Sequence, residues 1–327
     1  MCQREPASDC ILYLLALCQA LLHDSALMPD NNQQSTSPTP SFVTLPNMAE
    51  PFPGLLDFFD QRFPRVGRHV WQHRLQCGKI CDDSGQPVTE ETPYRVNLRL
   101  QYFREVVAEH PIPFPESILF RNEHILVADK PHFLPVTPGG SYVNECVLHR
   151  LKRSTGLQHL VPVHRLDRET AGLVLFTVDE KQRAPYFDLF RLGNIDKSYE
   201  AIATMPDHPE QGPWHIQSHI ERGEPWLRFR NVEGEINARS EIRVLEKRDK
   251  LARFELKPIT GKTHQLRLHL GLIGSVIVGD RLYPEFQPPS DPPNYDNPLQ
   301  LLAKRLSFTD PLSGNRLDFE SRFQLHW

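Results

Sequence analysis

A charged segment that directly precedes an apolar run is the part of this sequence best suited to chemistry. Residues 163–177 read VHRLDRETAGLVLFT, which places His164, Arg165 and Asp167 just before a run with the composition of a buried strand. Catalytic and binding groups are often held on a loop that a rigid strand supports. The residues alone allow two interpretations: a functional loop built around the Asp167 carboxylate, or a structural ion pair at the edge of a strand.

The segment HRLDRETAGL resembles the signature of the RluA-type pseudouridine synthases, enzymes that isomerise uridine in RNA. Further segments are similar to other motifs of that family and occur in the same order along the chain. They are ILVADKPHFLPVTPGG (125–140), KSYEA (197–201), GKTHQLRLHL (261–270), VGDRLYP (278–284) and LLAKRLSFTDPLSG (301–314). Because the resemblance covers about residues 120–320, it favours the functional loop over the structural ion pair.

The resemblance implies that Asp167 is the catalytic carboxylate. Isomerisation of uridine requires cleavage of the bond between the sugar and the base nitrogen, rotation of the uracil, and attachment through its carbon 5. A carboxylate near the sugar can act as a nucleophile or as a base that removes a sugar proton, and it stabilises a cationic transition state in either case. Since no electron, hydride or phosphoryl group is transferred, we expect neither a metal ion nor an organic cofactor.

Two more residues match catalytic positions of the resembled family. Arg267 resembles the arginine that pairs with the aspartate, and a guanidinium offers a carboxylate a rigid pair of donors. Tyr199 resembles the active-site tyrosine, whose ring can stack on uracil and whose hydroxyl can take part in the final proton removal from carbon 5. Without its flanking motif, Tyr199 would be interpreted as a core residue of a strand.

Basic side chains near these motifs are candidates for contacts with RNA. A uridine in a folded RNA must leave its stack, at a cost of a few kcal/mol, and in the resembled family the arginine that corresponds to Arg165 fills the vacated space. The chain has a formal net charge of -4, so RNA affinity must come from a local basic face rather than from overall charge. Taken singly, each of these residues could also be an ordinary surface group. The residues that we predict to contact RNA are Arg165, His164, Lys262, Lys130 and Lys197.

The catalytic residues are predicted to lie in an α+β domain. Scattered strand-like segments with few βαβ units favour a mixed, largely antiparallel sheet. Residues 263–272 have a spacing of apolar residues that fits a helix or a strand, and residues 181–191 are expected to form a helix that buries Tyr186, Phe187, Leu189 and Phe190. The other predicted elements are strands at residues 125–129, 173–178, 199–203, 242–245 and 252–256 and a helix at residues 146–155.

We expect three segments along the chain. Residues 1–47 are predicted to be a disordered extension, because the Pro/Ser-rich stretch at 31–41 cannot bury enough apolar surface to fold, and the 12-residue apolar run at 11–22 is shorter than the roughly 20 residues of a membrane-spanning helix. Residues 111–327 are the catalytic domain, whose start is marked by the stiff sequence PIPFP at 111–115.

Residues 48–110 are predicted to form a small N-terminal α/β module. Their order of helix, arginine-rich turn and GxI…GxxV hairpin resembles the small RNA-binding module named after a ribosomal small-subunit protein. A structural cap with solvated arginines is the alternative. The arginines that would form a phosphate-facing side are Arg62, Arg65, Arg68 and Arg74.

Composition and cysteine spacing favour a cytoplasmic protein and argue against a metal site. The hydrophobic content of 39% is typical of a soluble globular protein, and six scattered cysteines without disulfide or zinc-finger spacing indicate reduced thiols in the cytoplasm. His164, His264 and His269 share no metal-ligand spacing, so no metal is expected. We expect a monomer that binds ribosomal or, less favoured, transfer RNA and does not associate with membranes.

Two other functional classes remain to be distinguished. A non-catalytic RNA-binding or ribosome-assembly factor on the same fold would not need Asp167, Tyr199 and Arg267 together. A hydrolase with Asp167 as nucleophile would need a second positioned base or a Ser-His-Asp order, which the sequence does not offer. An RNA pseudouridine synthase is therefore the predicted function.

Overall fold

The computed structural model describes residues 34–327, apart from residues 108 and 291. Two short strands, β1 (Gln34–Thr36) and β2 (Ser41–Thr44), lie in the segment predicted to be disordered. The prediction is wrong for residues 34–47, because β2 joins a sheet and Leu45 is fully buried in the core. β2 has four residues, of which Val43 packs against this core, and it is too short to stand out beside its Pro/Ser-rich neighbours. The remainder of the predicted extension, residues 1–33, lies outside the described residues.

The N-terminal module packs two helices on a three-stranded sheet. The helices are α1 (Leu55–Arg62) and α2 (Arg68–Gln76), and the further strands are β3 (Ile80–Asp82), β4 (Arg99–Tyr102) and β5 (Glu105–Val107). The sheet order is β2-β4-β3, and β5 pairs with β1. Stacked aromatic rings, Phe59 against Trp71 at 4.5 Å between centroids, fill the space between the helices. The second strand of the predicted hairpin is reduced to a bridge between Cys81 and Pro87.

Two of the four arginines predicted to face phosphates have carboxylate partners instead. Arg74 is buried, with its Nε 3.5 Å from a carboxylate oxygen of Glu105. Arg68 lies 2.8 Å from a carboxylate oxygen of Asp57. Arg62 and Arg65 are exposed. The predicted phosphate-facing side is therefore reduced, since Arg74 belongs to the core of the module.

The part of the chain that follows residue 115 is built on one large sheet. In the described residues the sheet has eleven strands, with the main order β12-β11-β13-β14-β10-β15-β9-β7-β6, while β16 pairs with β15 and β8 with β9. All neighbours are antiparallel except β9 and β15. The predicted mixed, largely antiparallel sheet is thus confirmed. The strands are β6 (Ser117–Arg121), β7 (Ile125–Lys130), β8 (Val161–Pro162), β9 (Ala171–Thr177), β10 (Ile195–Thr204), β11 (Trp214–Arg222), β12 (Phe229–Val232), β13 (Ala238–Arg248), β14 (Leu251–Pro258), β15 (Leu301–Thr309) and β16 (Arg316–Glu320).

Three helices cover the sheet: α3 (Val147–Thr155), α4 (Arg183–Arg191) and α5 (Gln265–Leu272). Helix α4 buries Tyr186 and Leu189, but Phe187 is 38% exposed, contrary to the prediction. Residues 186 and 189 share one helix face, whereas the next residue after 186 is turned away from it by about 100°. No helix of the described segments combines the length and the apolar character that a bilayer-spanning helix needs.

The central strands β7 and β9 are buried along their whole length and are largely apolar because both of their faces are covered. Leu126 and Val174 belong to the core cluster that includes α3, whereas Ile125 and Leu173 belong to the cluster that includes Tyr186 of α4. Successive side chains of a strand point to opposite faces, so a strand buried on both sides has no polar alternation. This rigid centre of the sheet supports the loop that carries Asp167.

Candidate active site

An open cleft of about 730 Å³ lies where the loop before β9, the strand β10 and the start of α5 meet. Residues 135–139 and 258–263 complete its walls. Of the eight residues predicted from the sequence as catalytic or RNA-binding, seven line this cleft and Lys130 does not. The seven are Asp167, Tyr199, Arg267, Arg165, His164, Lys262 and Lys197.

Asp167 supplies the one carboxylate among the described residues that line the cleft. Its Oδ2 lies 4.0 Å from Nη1 of Arg267 and 3.9 Å from Nε2 of His264, and the side chain is 29% exposed. Both distances exceed those of a hydrogen bond. Among the described residues no donor lies within hydrogen-bonding distance of this carboxylate, so its oxygens are available to a molecule in the cleft.

Arg267 lies on α5 behind Asp167, with a side chain that is 1% exposed. Its Nε donates to Oδ2 of Asp280 at 2.8 Å, and its Nη2 contacts Oδ1 of the same carboxylate. Burial works to lower the pKa of Arg267, but Asp280, Asp167 and Glu169 together raise it above its usual value. The guanidinium is therefore positively charged beside Asp167 at neutral pH.

Local contacts explain why α5 begins at this point. His264, with a φ of +58°, lies in the left-handed region immediately before the helix. The Gln265 side chain accepts a hydrogen bond from the Lys262 backbone N–H at 3.0 Å and donates to the Arg239 carbonyl at 2.8 Å. This turn commits the ambiguous segment to a helix and directs Arg267 towards the cleft.

Tyr199 lies on β10, opposite Leu256 of β14 and Ala303 of β15. Burial, and to a smaller extent the negative charge of Asp167, raises the pKa of Tyr199 above its usual value. The phenol is therefore protonated at neutral pH. A partly buried, protonated phenol is suited to stacking on a base and to hydrogen bonding rather than to acting as an anionic base.

His164 supports the loop rather than carrying a charge. Its ring stacks on Phe190, with 4.5 Å between centroids, and its Nε2 lies 3.1 Å from the Leu175 backbone nitrogen, whose N–H donates to it. Burial, with a contribution from Lys197, lowers the pKa of His164 to about 3. At neutral pH a neutral ring with the proton on Nδ1 fits this arrangement, so His164 offers no positive charge to a phosphate.

Lys130 requires a correction to the sequence prediction. Its side chain has no exposed surface, and Nζ donates to the carbonyls of Pro131, Leu134 and Arg168 at 3.0, 2.7 and 3.0 Å. Burial lowers the pKa of Lys130 to about 7, against the attraction of Asp167 and Glu169. With all three donors used inside the protein, Lys130 has none left for RNA, and it holds the loop that carries Asp167 instead.

The other predicted cations face the cleft. Arg165 and Lys262 are exposed, and Lys197 is partly buried, which lowers its pKa. Within the part of the chain that the structure describes, the side chains of these three residues form no ion pair. The cleft thus presents unpaired positive charge although the whole chain is acidic.

Sequence reasoning missed the acidic residues that surround Arg267. Asp280 lies within the closing-turn segment VGDRLYP, and Glu169 lies within the HRLDRETAGL segment, where its Oε1 accepts a hydrogen bond from Nε of Arg281 at 3.0 Å. The motifs contained both residues but offered no rule for which side chains meet. Among the described residues, no group of three or more histidine, cysteine, aspartate or glutamate side chains is arranged to hold a metal ion.

The chain is similar in sequence and in fold to known RNA pseudouridine synthases. A model of the RNA pseudouridylate synthase family matches residues 124–271, which include the loop with Asp167, Tyr199 and Arg267. The human proteins RNA pseudouridylate synthase domain containing 4 and domain containing 1 superpose with TM-scores of 0.50 and 0.52 at 25% and 21% identity. The superposition with the first covers 64% of this chain and 88% of the human chain, and that with the second covers 66% and 86%. At 21% identity, the second comparison shows a similar fold only.

Curated sequences extend the similarity beyond the fold. The chain is 32% identical to the dual-specificity RNA pseudouridine synthase RluA of Salmonella typhimurium over 207 residues, which are 62% of this chain and 91% of that protein. It is 33% identical to an uncharacterised RNA pseudouridine synthase of Synechocystis over 242 residues, 70% of this chain and 79% of that protein. Similarity of this extent means that the chain belongs to the RluA-type family of RNA pseudouridine synthases, whose members are isomerases.

Proposed function

We propose that this protein converts specific uridines of a structured RNA to pseudouridine, with Asp167 as the catalytic carboxylate. The observation that carries the proposal is the Asp167 side chain, partly exposed in a cleft of about 730 Å³ and 4.0 Å from a buried, positively charged arginine. The cleft has a volume within the range of roughly 300–1,000 Å³ that is usual for small-molecule sites. A single extruded nucleotide is therefore a suitable occupant.

The chemistry of the cleft residues supports a division of roles. Asp167 meets the ribose, either as a nucleophile or as a base that removes a sugar proton, because both routes need an unengaged carboxylate at the sugar. Arg267 offsets the negative charge of that carboxylate in the cleft. Tyr199 stacks on the uracil, and Arg165 occupies the space that the extruded base leaves in the RNA. Lys197 and Lys262 contact phosphates on either side of the target nucleotide.

We also propose that the N-terminal module adds contacts to RNA. Its own core cluster extends from Leu45 to Tyr102, while the first buried residue of the next cluster is Ile112, which supports a boundary near residue 110. Exposed Arg62, Arg65 and Arg99 are its candidate phosphate ligands. Activity as a cytoplasmic monomer is part of the same proposal, and light scattering on the purified protein tests the monomer.

The test is deletion of the gene followed by carbodiimide mapping of cellular RNA. We expect one or a few pseudouridines to disappear and to return on complementation with the wild type but not with Asp167→Ala. Ribosomal RNA is the first RNA to map, ahead of transfer RNA. An unchanged map in both RNAs would favour a binding or assembly factor, and restoration by Asp167→Ala would exclude the proposed role of the carboxylate.

A further inference from the structure

Asp280 binds the buried side of the Arg267 guanidinium with both of its carboxylate oxygens. Oδ2 lies 2.8 Å from Nε, and Oδ1 contacts Nη2. The two side chains are 2% and 1% exposed, so water does not compete for these bonds. Because Nε and Nη2 are occupied, Nη1 is the nitrogen that remains on the side of Asp167, 4.0 Å from its Oδ2.

The Asp280 carboxylate is itself fixed by the backbone that follows it. The N–H groups of Leu282 and Tyr283 donate to Oδ1 at 2.8 and 3.0 Å. Gly279, immediately before it, has a φ of +76°, and a Cβ there would lie 2.4 Å from the Pro298 carbonyl oxygen. The turn at residues 279–283 thus sets where the carboxylate lies, and the carboxylate sets the rotation of the guanidinium about its own axis.

Among the described residues around Arg267, no second acidic side chain is free to replace Asp280. Glu169 is the alternative, because its Oε2 lies 3.8 Å from Nη2 of Arg267. Its Oε1, however, accepts from Nε of Arg281 at 3.0 Å and also contacts Nη2 of that residue. Glu169 would have to release Arg281 before it could take over both Nε and Nη2 of Arg267.

We propose that Asp280 is a positioning residue for the isomerisation: it orients Arg267 so that one guanidinium nitrogen faces Asp167, and it does not touch the RNA. This inference rests on the proposed roles of Asp167 and Arg267. It also explains why residue 267 is an arginine, since a lysine has a single nitrogen and cannot bind Asp280 on one side while it presents a second nitrogen to Asp167.

A double-mutant cycle tests whether Asp280 acts through Arg267. The substrate is ribosomal RNA from the deletion strain, labelled with tritium at uracil carbon 5, and the measurement is single-turnover release of tritium. We expect Asp280→Asn to lower the rate constant about 10- to 100-fold, as a small misplacement of a catalytic group does, with RNA affinity changed less than about 2-fold. In an Arg267→Met background, which removes the guanidinium, Asp280→Asn should cost no more than about 2-fold further. Full additivity of the two losses would overturn the proposal.

Asp310→Asn is the matched control for a loss of stability. Asp310 is also buried, and its carboxylate accepts from two backbone N–H groups, of Leu312 and Ser313, and from the Tyr186 hydroxyl, but it does not line the cleft. We expect Asp310→Asn to lower the melting temperature and to leave the rate constant at the wild-type value. An equal loss of rate in Asp310→Asn and Asp280→Asn would contradict positioning and indicate a general effect of stability.

Asp167→Asn separates this inference from the proposed function. If Asp167→Asn is inactive and Asp280→Asn has the wild-type rate, only the positioning role of Asp280 fails. If Asp167→Asn retains the full rate, the proposed catalytic role of Asp167 is wrong. The positioning role of Asp280 is then wrong as well, whatever the rate of Asp280→Asn.

Discussion

Gly172 lies opposite Ala303 at the place where β9 and β15 run parallel, and Ala303 pairs on its other side with Tyr199 of β10. One residue of β15 therefore sets the spacing between the strand that follows Asp167 and the strand that carries Tyr199. Gly172 has a φ of +112°, and a Cβ at this position would lie 2.3 Å from the Ala303 carbonyl oxygen. Both the backbone conformation and the close approach require glycine.

Substitution Gly172→Ala is expected to separate these strands. Strain from the positive φ and from the contact with Ala303 should together lower the free energy of unfolding by roughly 3 kcal/mol or more, which urea denaturation measures. The matched control is Gly271→Ala in α5, where an added Cβ meets nothing within 4 Å. That variant should gain about 0.5–1 kcal/mol, because alanine is the better helix former. Equal stability of the Gly172→Ala variant and the wild type would contradict the role of this contact.

The local part of the site could be predicted from the sequence. The charged segment before an apolar run located the Asp167 loop, and the matched motifs selected Tyr199 and Arg267, which line the same cleft. Residues 263–272 allowed a helix or a strand, and tertiary contacts decided it, because the Gln265 side chain bonds to Arg239 on another element. Periodicity carries no information about such long-range bonds.

Whether a charged side chain is buried or exposed could not be predicted from the sequence. Lys130 and Arg165 are both basic residues of motif segments, yet one is fully buried and the other is exposed. Burial of a charged group depends on whether distant residues supply partners, as the Arg168 carbonyl does for Lys130. The pair of Arg267 and Asp280 is of the same kind, since two side chains 13 positions apart meet only when the turn at residues 279–283 is in place.

Lys130→Met should weaken both the fold and the Asp167 loop. The variant leaves the carbonyls of Pro131, Leu134 and Arg168 without their donor. Because an unsatisfied buried acceptor costs about 1–3 kcal/mol, and removal of a buried charge offsets part of the loss, we expect a net loss of about 2–4 kcal/mol in urea denaturation. The single-turnover rate should fall about 10-fold or more, since Arg168 is the residue next to Asp167.

Lys304→Met is the control for Lys130→Met. Lys304 is also largely buried, and its Nζ donates to the carbonyls of Ser321 and Phe323 at 2.8 and 3.4 Å, away from the cleft. At a temperature below both unfolding transitions, Lys304→Met should retain the wild-type rate. If Lys130→Met retains it as well, the contact with the Arg168 carbonyl does not hold the catalytic loop.

His164 should contribute to the loss of stability at acid pH. Burial lowers its folded-state pKa from the usual 6.5 to about 3, so the folded protein binds fewer protons than the unfolded chain. The stability due to the neutral ring is fully present above about pH 6.5 and is lost as the pH falls towards 3. His164→Gln keeps an acceptor for the Leu175 N–H without a titrating group, so its stability should fall less steeply below pH 6.5, by up to about 1.4 kcal/mol per pH unit.

Thermal or urea denaturation between pH 4 and pH 8 measures this difference. Burial also lowers the pKa of other histidines, among them His149 and His269, but these contribute equally to the wild type and to His164→Gln. The difference between the two curves therefore isolates residue 164. Parallel curves over the whole range would mean that the ring is not held neutral by the folded protein.

Lys262 should contribute one phosphate contact to RNA binding. It is exposed at the rim of the cleft and has no ion-pair partner in the described ranges, so a bound phosphate would release one condensed cation. In an Asp167→Asn background, which prevents turnover, Lys262→Ala should reduce the slope of log Kd against log salt concentration by about 0.7–0.9.

The control is Lys250→Ala, because Lys250 lies far from the cleft. It directly precedes β14 (Leu251–Pro258), and the cleft lies at the opposite end of that strand, where Pro258 lines it. Eight residues of strand span roughly 26 Å. That distance exceeds the Debye length of about 10 Å at 0.1 M salt, so the Lys250→Ala slope should equal that of the parent. An equal reduction in both variants would mean that the protein attracts RNA through its general field, and that Lys262 makes no contact of its own.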